Sequence, residues 1–386
     1  MDNFSFYNPT RIEFGKDKEQ LIGQILAEQG VKKVLLTYGS ERIKRDGLFA
    51  TVSKSLDKHG ISFVESGGIV SNPVLSKVRE AIATAREHKV DAILSVGGGS
   101  VLDSSKAIAA GTLHDGDVWD LFLRKAPIDA ALPVFAILTL AATGSEMNNG
   151  AVVTNEATKE KFAIGSVHTF PKVSIVNPAL MQTVSRDYLV YSAADIIAHS
   201  IEGYFTARVQ PTIQSRLVES IIKTVIESTE ALLADPHDYD ARAEFAWAST
   251  LALNGITHAG TAGFGYPNHM IEHSLSALFN VPHGAGLSVV IPAWAKWYHA
   301  HASNPRPAQF ERFAQQVFGL KTAEEGIAAL EKWFDKIGTP TRLSQLGITE
   351  AQLPTTIDNV LGNAQWFGLA GTYTRDAVTD ILKQAL

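Results

Sequence analysis

The sequence predicts a parallel α/β domain followed by an all-helical domain, and three observations carry that prediction. Short β-branched apolar runs alternate with helical patterns in the first half, as buried parallel strands do. Strand-like runs vanish from about Ser185, where long amphipathic stretches take over. At 386 residues the chain is also long for one domain, so two packed units are expected. The boundary falls between Met181 and Ser185, dividing the chain into residues 1–183 and 184–386.

The elements follow in order. Lys33–Tyr38 (KVLLTY) is a strand that runs into Gly39. A pattern of period 3.6 beginning near Gly47 leads to a second strand at Ile61–Val64. Ala92–Val96 runs into Gly97, and Val134–Leu138 runs into Thr139. Each is a strand closed by turn chemistry. Thr154–Lys161 is polar and is expected as a hairpin or loop excursion, after which Val173–Val176 is the last strand. Beyond it, Pro211–Leu233 and Asp240–Asn254 have helical periodicity, and the remainder is mostly helical. No internal repeat or low-complexity segment interrupts this order.

Composition narrows the function. The chain is 45% hydrophobic and 19% charged with net charge -6, ordinary for a globular core and without the basic face that nucleic acid or an anionic membrane favours. There are no cysteines, which excludes disulfides, thiolate metal sites and cysteine nucleophiles. Apolar stretches such as Ala130–Ala142 and Leu287–Trp294 are too short or Pro-broken to span a bilayer. The N-terminus has no signal-like apolar core, so the expected location is the cytoplasm.

A phosphate-binding signal sits at the third strand. Gly97-Gly98-Gly99-Ser100 separates a strand from a helix start. Glycines allow close backbone approach and tolerate positive φ, and unpaired N–H groups at the helix N-terminus suit a pyrophosphate. Ser100 would cap the helix or donate to a phosphate. The pattern is not G-x-G-x-x-G, so the standard dinucleotide fingerprint is absent. A second loop, Thr139 to Glu146, also follows a strand and offers Thr139, Thr143, Gly144 and Ser145. Two such loops at the carboxyl ends of parallel strands favour a nucleotide site over two empty turns.

The helical half carries a candidate metal constellation. Asp195 and His199 are four apart, one turn apart on one helix face. His269 and His273 repeat that spacing, and His283 follows in Pro282-His283-Gly284. Alone, D-x-x-x-H is an ambiguous ion pair. Ala194, Ile196, Ile197 and Ala198 around Asp195 imply burial, and a buried carboxylate needs a partner or a metal. Imidazoles with one carboxylate suit Zn²⁺ or Fe²⁺ rather than Mg²⁺ or Ca²⁺.

Taken together, the segments FYNPTRIEFGK, LLTYG, GGGSVLDSSK, TGSEMNNGAVV and HMIEHSLSALFNVPHGAGLSVVIPAW resemble the iron-containing (group III) alcohol dehydrogenases, in their butanol dehydrogenase and aldehyde reductase branch. The resemblance covers nearly the whole chain. It implies a Rossmann-like dinucleotide-binding domain over residues 1–183 and an all-α metal-binding domain over 184–386, the architecture shared with dehydroquinate synthase. It implies metal ligation by Asp195, His199, His269 and His283, and a substrate-side, proton-relaying His273. It also implies cofactor contacts from Gly98, Gly99, Ser100 and Asp103, from Thr139, Thr143, Ser145, Asn148 and Lys161, and from Asn72 on the adenosine side. A homodimer is implied too. Three positions depart from the family pattern: Asn177 for Asp, Ser185 for Pro and Ser192 for Gly.

The expected reaction is hydride transfer between NAD(P)H and a short-chain aldehyde or primary alcohol. Gly39 and Ser40 after the first strand, with Arg42 and Lys44 nearby, favour NADP, while Glu41 keeps NAD possible. Two alternatives stand beside it: a lyase of the dehydroquinate synthase-like architecture, and a non-catalytic nucleotide sensor. The lyase would need a basic pocket for a charged substrate, whereas Phe264 and Tyr266 suggest an apolar one. The sensor would have no need of an open metal site.

Overall fold

A computed structural model describes residues 1–386 and divides them into two compact units, Tyr7–Thr183 and Val184–Leu386, the latter joined by Met1–Phe6. The first unit is built on eight strands: β1 (Arg11–Phe14), β2 (Lys33–Tyr38), β3 (Ser62–Ser66), β4 (Ala92–Gly97), β5 (Val134–Leu138), β6 (Gly150–Asn155), β7 (Glu160–Gly165) and β8 (Val173–Val176). Six form one sheet in the order β1-β8-β5-β4-β2-β3, every pair parallel.

Burial follows position in the sheet. The central strands β4, β5 and β8 are buried throughout, which is why they are mostly apolar without alternation, broken only by the small residues Ser95, Gly97 and Ser174. The edge strands β1 (RIEF) and β3 (SFVES) keep half-exposed and exposed positions. The sequence reading missed β1, because four alternating residues at an edge give almost no apolar signal. It also set the strand at Ile61–Val64, whereas β3 runs Ser62–Ser66, one residue later at its start and two at its end. The polar excursion is an antiparallel hairpin, β6 against β7.

Strand order fixes where a ligand can enter. The chain passes from β2 outward to β3, then crosses back to lay β4 on the other side of β2. The reversal opens a crevice at the carboxyl ends of β2 and β4, the usual binding position in an open α/β sheet. Gly39 leaves β2 there, and a Cβ on it would sit 3.7 Å from Val101 Cγ2, in the first turn of the helix Gly99–Leu113 that leaves β4.

The second unit contains no strand. Its central helix is Arg186–Thr206, buried almost continuously from Leu189 to Thr206. Around it pack Thr212–Ala234, Tyr239–Leu253, Pro267–Phe279 and His283–Ala300, with shorter helices to the C-terminus. No helix of the protein is long and apolar enough to cross a membrane.

The three family departures have local explanations. Ser185 caps the central helix, accepting from Tyr188 N at 3.4 Å. Ser192 Oγ donates to Tyr188 O at 2.7 Å, within the helix. Asn177 donates from Nδ2 to the buried carboxylate of Glu19 at 2.9 Å, and its Oδ1 accepts from Ala179 N at 3.0 Å. An Asp at 177 would set two carboxylates against each other where water is excluded. Asn177→Asp is therefore expected to lower stability by about 1–3 kcal/mol, and Glu19→Gln in the same chain to recover most of it. Urea unfolding of the two single variants and the double variant checks this; additive losses would remove the coupling.

Candidate metal centre

Three helix segments bring the metal-type side chains together. On Arg186–Thr206, Asp195, His199 and Glu202 recur at i, i+4 and i+7 on one face. On Pro267–Phe279, with Pro267 in its first turn, His269, Glu272 and Ser276 share a face at i, i+3 and i+7. Asn280 ends that helix at φ 53, and after this left-handed turn His283 opens the next helix. The glycines flanking His283 let that helix close in. A Cβ on Gly284 would lie 2.0 Å from Tyr191 O, and one on Gly286 would lie 2.7 Å from Glu272 Cγ.

Asp195 Oδ1 is the point on which the cluster converges. It lies 3.6 Å from His199 Nδ1, 3.7 Å from His269 Nε2 and 3.7 Å from His283 Nε2. All are longer than hydrogen bonds. They match the separation of about 3.4 Å expected between ligands sharing one tetrahedral ion at roughly 2.1 Å. Asp195 Oδ1 and His269 Nε2 are buried without any hydrogen-bond partner, a costly state that a cation between them would relieve. The donor set thus fits a divalent ion. His283 is the most exposed of the four, its side chain 22% accessible against 4–8% for the others, so the open approach lies on its side.

Electrostatics agree. Burial pushes the Asp195 carboxyl up, but the surrounding imidazoles, His199 first, outweigh it and hold the group below its ordinary value. Burial likewise works against charge on His269, yet Asp195 and Glu202 raise it to about 9. The cluster attracts positive charge strongly, and an ion would replace protons there.

Two buried carboxylates orient the imidazoles. Glu202 Oε1 faces His269 Nδ1 at 2.9 Å and accepts from His269 N at 2.9 Å, while its Oε2 accepts from Asn268 Nδ2 at 3.2 Å. Glu272 Oε2 bonds His283 Nδ1, and its Oε1 accepts from Ser276 Oγ. Both glutamates are fully buried. Such partners fix which ring nitrogen faces the ion and raise its basicity. The sequence reading gave neither glutamate a role, although Glu202 stands three residues after His199 and Glu272 three after His269, each sharing that histidine's face. His273 is buried beside the cluster, its ring 5.8 Å from that of His283 and edge-on to Phe367 at 5.6 Å. Tyr266 lies edge-on to His269 at 5.8 Å, and Phe264 stacks on His258 at 4.5 Å.

In the α/β unit the two loops are neighbours. Thr139 N donates to Gly97 O at 3.0 Å. None of Gly97, Gly98 and Gly99 has positive φ; closeness is what requires them. A Cβ on Gly97 would meet Val101 Cγ2 at 2.4 Å, and one on Gly99 would meet Thr143 Oγ1 at 2.4 Å. Gly98 is the helix cap, so Ser100 lies inside the first turn and is not a cap. Asp103 accepts from Ser145 Oγ at 2.6 Å and from Val152 N at 3.0 Å. Asn148 Oδ1 accepts from Gly150 N at 2.9 Å. Asn72, at φ 53, accepts from Lys161 Nζ at 3.1 Å. Ser40 Oγ accepts from Arg42 N at 3.4 Å. A cavity of about 320 Å³ in this unit is lined by Glu19, Arg42, Asp46, Thr139 and Leu180, among others.

Residues 9–178 match the family model for iron-containing alcohol dehydrogenase, and residues 189–386 match that family's C-terminal model. The chain belongs to the iron-containing alcohol dehydrogenases. Within this family it is similar to the probable NADH-dependent butanol dehydrogenase 1 of Bacillus subtilis, 39% identical with both chains covered in full. It is 33% identical to the NADPH-dependent aldehyde reductase YqhD of Escherichia coli, over 92% of each chain. Among solved structures, NADH-dependent butanol dehydrogenase A of Thermotoga maritima superposes with TM-score 0.96 at 44% identity, covering 100% of this chain and 99% of that one. The dehydrogenase fold predicted from the sequence, a Rossmann-like sheet unit followed by helices, is the fold observed.

Glu272→Leu is expected to weaken metal binding by about 10–100-fold. Titration of the metal-free protein with Zn²⁺ measures this, and unchanged affinity would remove the orienting role.

Proposed function

We propose that this iron-type dehydrogenase reduces short aliphatic or aromatic aldehydes with NAD(P)H, and oxidises the corresponding primary alcohols. The observation that carries the proposal is the convergence of three imidazoles on Asp195 Oδ1 in a chain whose relatives are named butanol dehydrogenases and aldehyde reductases. The lyase and sensor readings are not favoured by that company.

Asp195, His199, His269 and His283 would hold Fe²⁺ or Zn²⁺, which when bound supplies Lewis-acid polarisation of a carbonyl oxygen. The nicotinamide supplies the hydride. The chain's own groups do the rest. Glu202 and Glu272 hold two imidazoles in the ligating tautomer. His273, buried beside them without being one of the four, is proposed to pass the alcohol proton. Tyr266 and Phe264 give the approach an aromatic, uncharged wall, which suits butanal better than a charged substrate. Gly39, Ser40, Asn72, Gly98, Gly99, Ser100, Asp103, Thr139, Thr143, Ser145, Asn148 and Lys161 are proposed to form the dinucleotide site, its phosphates at the N-terminus of Gly99–Leu113.

The choice of cofactor turns on few groups. Arg42 bonds Thr183 O at 3.1 Å and lies 3.7 Å from Asp46. Lys44 pairs with Glu65 at 2.7 Å and Glu41 at 3.2 Å. Both cations already have acidic neighbours, which weakens their attraction for a 2′-phosphate. What favours NADP is that neither Gly39 nor Ser40 is a carboxylate, while Glu41, next in the chain, is the group that keeps NAD in play. Both cofactors are taken as substrates, with a modest preference for NADPH.

Initial rates with butanal and each cofactor test this. Activity should vanish on chelation and return with Fe²⁺ or Zn²⁺; metal-independent turnover, or none with any aldehyde, would overturn the reading, and equal or better turnover with NADH would overturn the preference. In the same assay His273→Ala should lower kcat by about 10²-fold and change its pH profile, whereas an unchanged profile removes the relay. We also propose a cytoplasmic homodimer, in keeping with the family resemblance and with the exposed Met1, Phe4, Phe6 and Tyr7 side chains. Light scattering of the purified protein should give twice the 41.7 kDa chain mass, and a monomeric mass would refute it.

A further inference from the structure

Lys106 is a fully buried lysine on the helix Gly99–Leu113. A buried ammonium is costly unless oxygens replace its water, and here five do. Nζ lies 2.7 Å from Ser145 O, 2.8 Å from Ser145 Oγ, 2.8 Å from Gly150 O, 2.9 Å from Asn148 O and 3.2 Å from Asn148 Oδ1. All five belong to the segment 145–150. An ammonium has three protons, so several of these contacts share donors, and the charge rather than any single bond gathers the segment. Ser145 Oγ continues the network by donating to Asp103, and Asp103 holds Val152 N.

We propose that Lys106 is a positioning residue for the dinucleotide: its ammonium draws three carbonyls inward and thereby sets Thr143, Ser145 and Asn148 beside the glycine turn. This rests on the reading that the two loops bind NAD(P)H. The ion replaces neither a ligand contact nor a catalytic group; it fixes the backbone that carries them. Without it, three carbonyls and two side-chain oxygens of one six-residue segment would face a buried space with no common donor. The segment would rearrange to reach water, and the neighbour of Gly99 would move with it, since Thr143 is what a Cβ on Gly99 would strike.

The charge itself is testable. Burial pushes Lys106 down to about 8, opposed by the facing charges of Asp103 and Glu146; Lys161 in turn faces Asp103. The ammonium is thus present below that pH and lost above it. NADH binding should weaken as pH rises through about 8.

The absence of any cysteine permits a selective chemical test. In Lys106→Cys the new thiol is the sole one. Alkylation in denaturant with 2-bromoethylamine followed by refolding rebuilds an ammonium of nearly the same length, and 2-bromoethanol gives a neutral control. NADH dissociation constants follow from cofactor fluorescence on the metal-free protein, with Zn²⁺ affinity as a measure of the other unit's integrity. The unmodified and hydroxyethyl forms are expected to bind NADH about tenfold or more weakly with Zn²⁺ affinity unchanged, and the aminoethyl form to return to within about threefold of the parent. Equal binding by the aminoethyl and hydroxyethyl forms overturns the proposal. Should the variants fail to refold, the unaltered protein decides: NADH affinity that stays flat between about pH 7 and pH 10 overturns it. Failure of the parent to bind NADH or NADPH would instead overturn the dinucleotide reading beneath it.

Discussion

A carboxylate oxygen buried in a helical core without a hydrogen-bond partner is the constraint around which the second unit is arranged. Asp195 sits on a helix whose neighbours are alanine and isoleucine, where an uncompensated charge costs several kcal/mol. Three imidazole nitrogens lie within 3.7 Å of it, each too far to bond it, and the cation proposed there would compensate the charge. Everything near this point serves that spacing. The central helix carries Asp195 and His199 one turn apart, the helix Pro267–Phe279 carries His269, and the left-handed Asn280 turn brings His283, fourteen residues further on, to the same point.

Glycine decides whether the last ligand can arrive. His283 opens its helix directly against the backbone of Tyr191 and the side chain of Glu272, approaches that a methyl group at 284 or 286 would block. The run HGAG therefore joins a ligand to the small residues that let the ligand's helix pack. Glu272 then does two things with one side chain: it fills the space beside Gly286 and bonds His283 Nδ1. Packing and ligand orientation are the same contact here.

Much of this is legible in the sequence because the strongest signals are local. β2, β5 and β8 are recovered to the residue, being buried apolar runs ended by Gly, Thr or Asn, and the helices of the Asp/His cluster announce themselves by i, i+4 spacing in apolar surroundings. What escaped was non-local. β1 pairs with β8 at the sheet edge, and the alternation of RIEF over four residues is too short a strand signal to stand alone. Glu202 and Glu272 were in view as helical glutamates, a type more often solvent-facing, and only their burial against histidines assigns them. Of the two reasons for the glycine turn, positive φ is absent; within the protein the close approach is by Val101, Leu140 and Thr143, and approach by a ligand belongs to the proposal. Asn177 was visible as a departure from the family, but its reason is Glu19, 158 residues away in the chain.

The two units solve opposite electrostatic problems by one method. In the helical unit the buried anions Glu202 and Glu272 bond Nδ1 of His269 and His283 and leave both Nε2 atoms facing Asp195 Oδ1, where a cation is proposed. In the sheet unit a buried cation, Lys106, turns carbonyls inward and leaves the loop beside the glycine turn in a fixed shape. In each case a charge out of reach of water is bonded to the groups proposed to bind a ligand or to the backbone that carries them. A low-dielectric setting strengthens both arrangements, because the orienting charge has no solvent competitor. This explains why residues that touch neither proposed ligand are so completely buried: Glu202, Glu272 and Lys106 have no accessible surface. Exposure would let water satisfy them singly, and the geometry they impose would be lost.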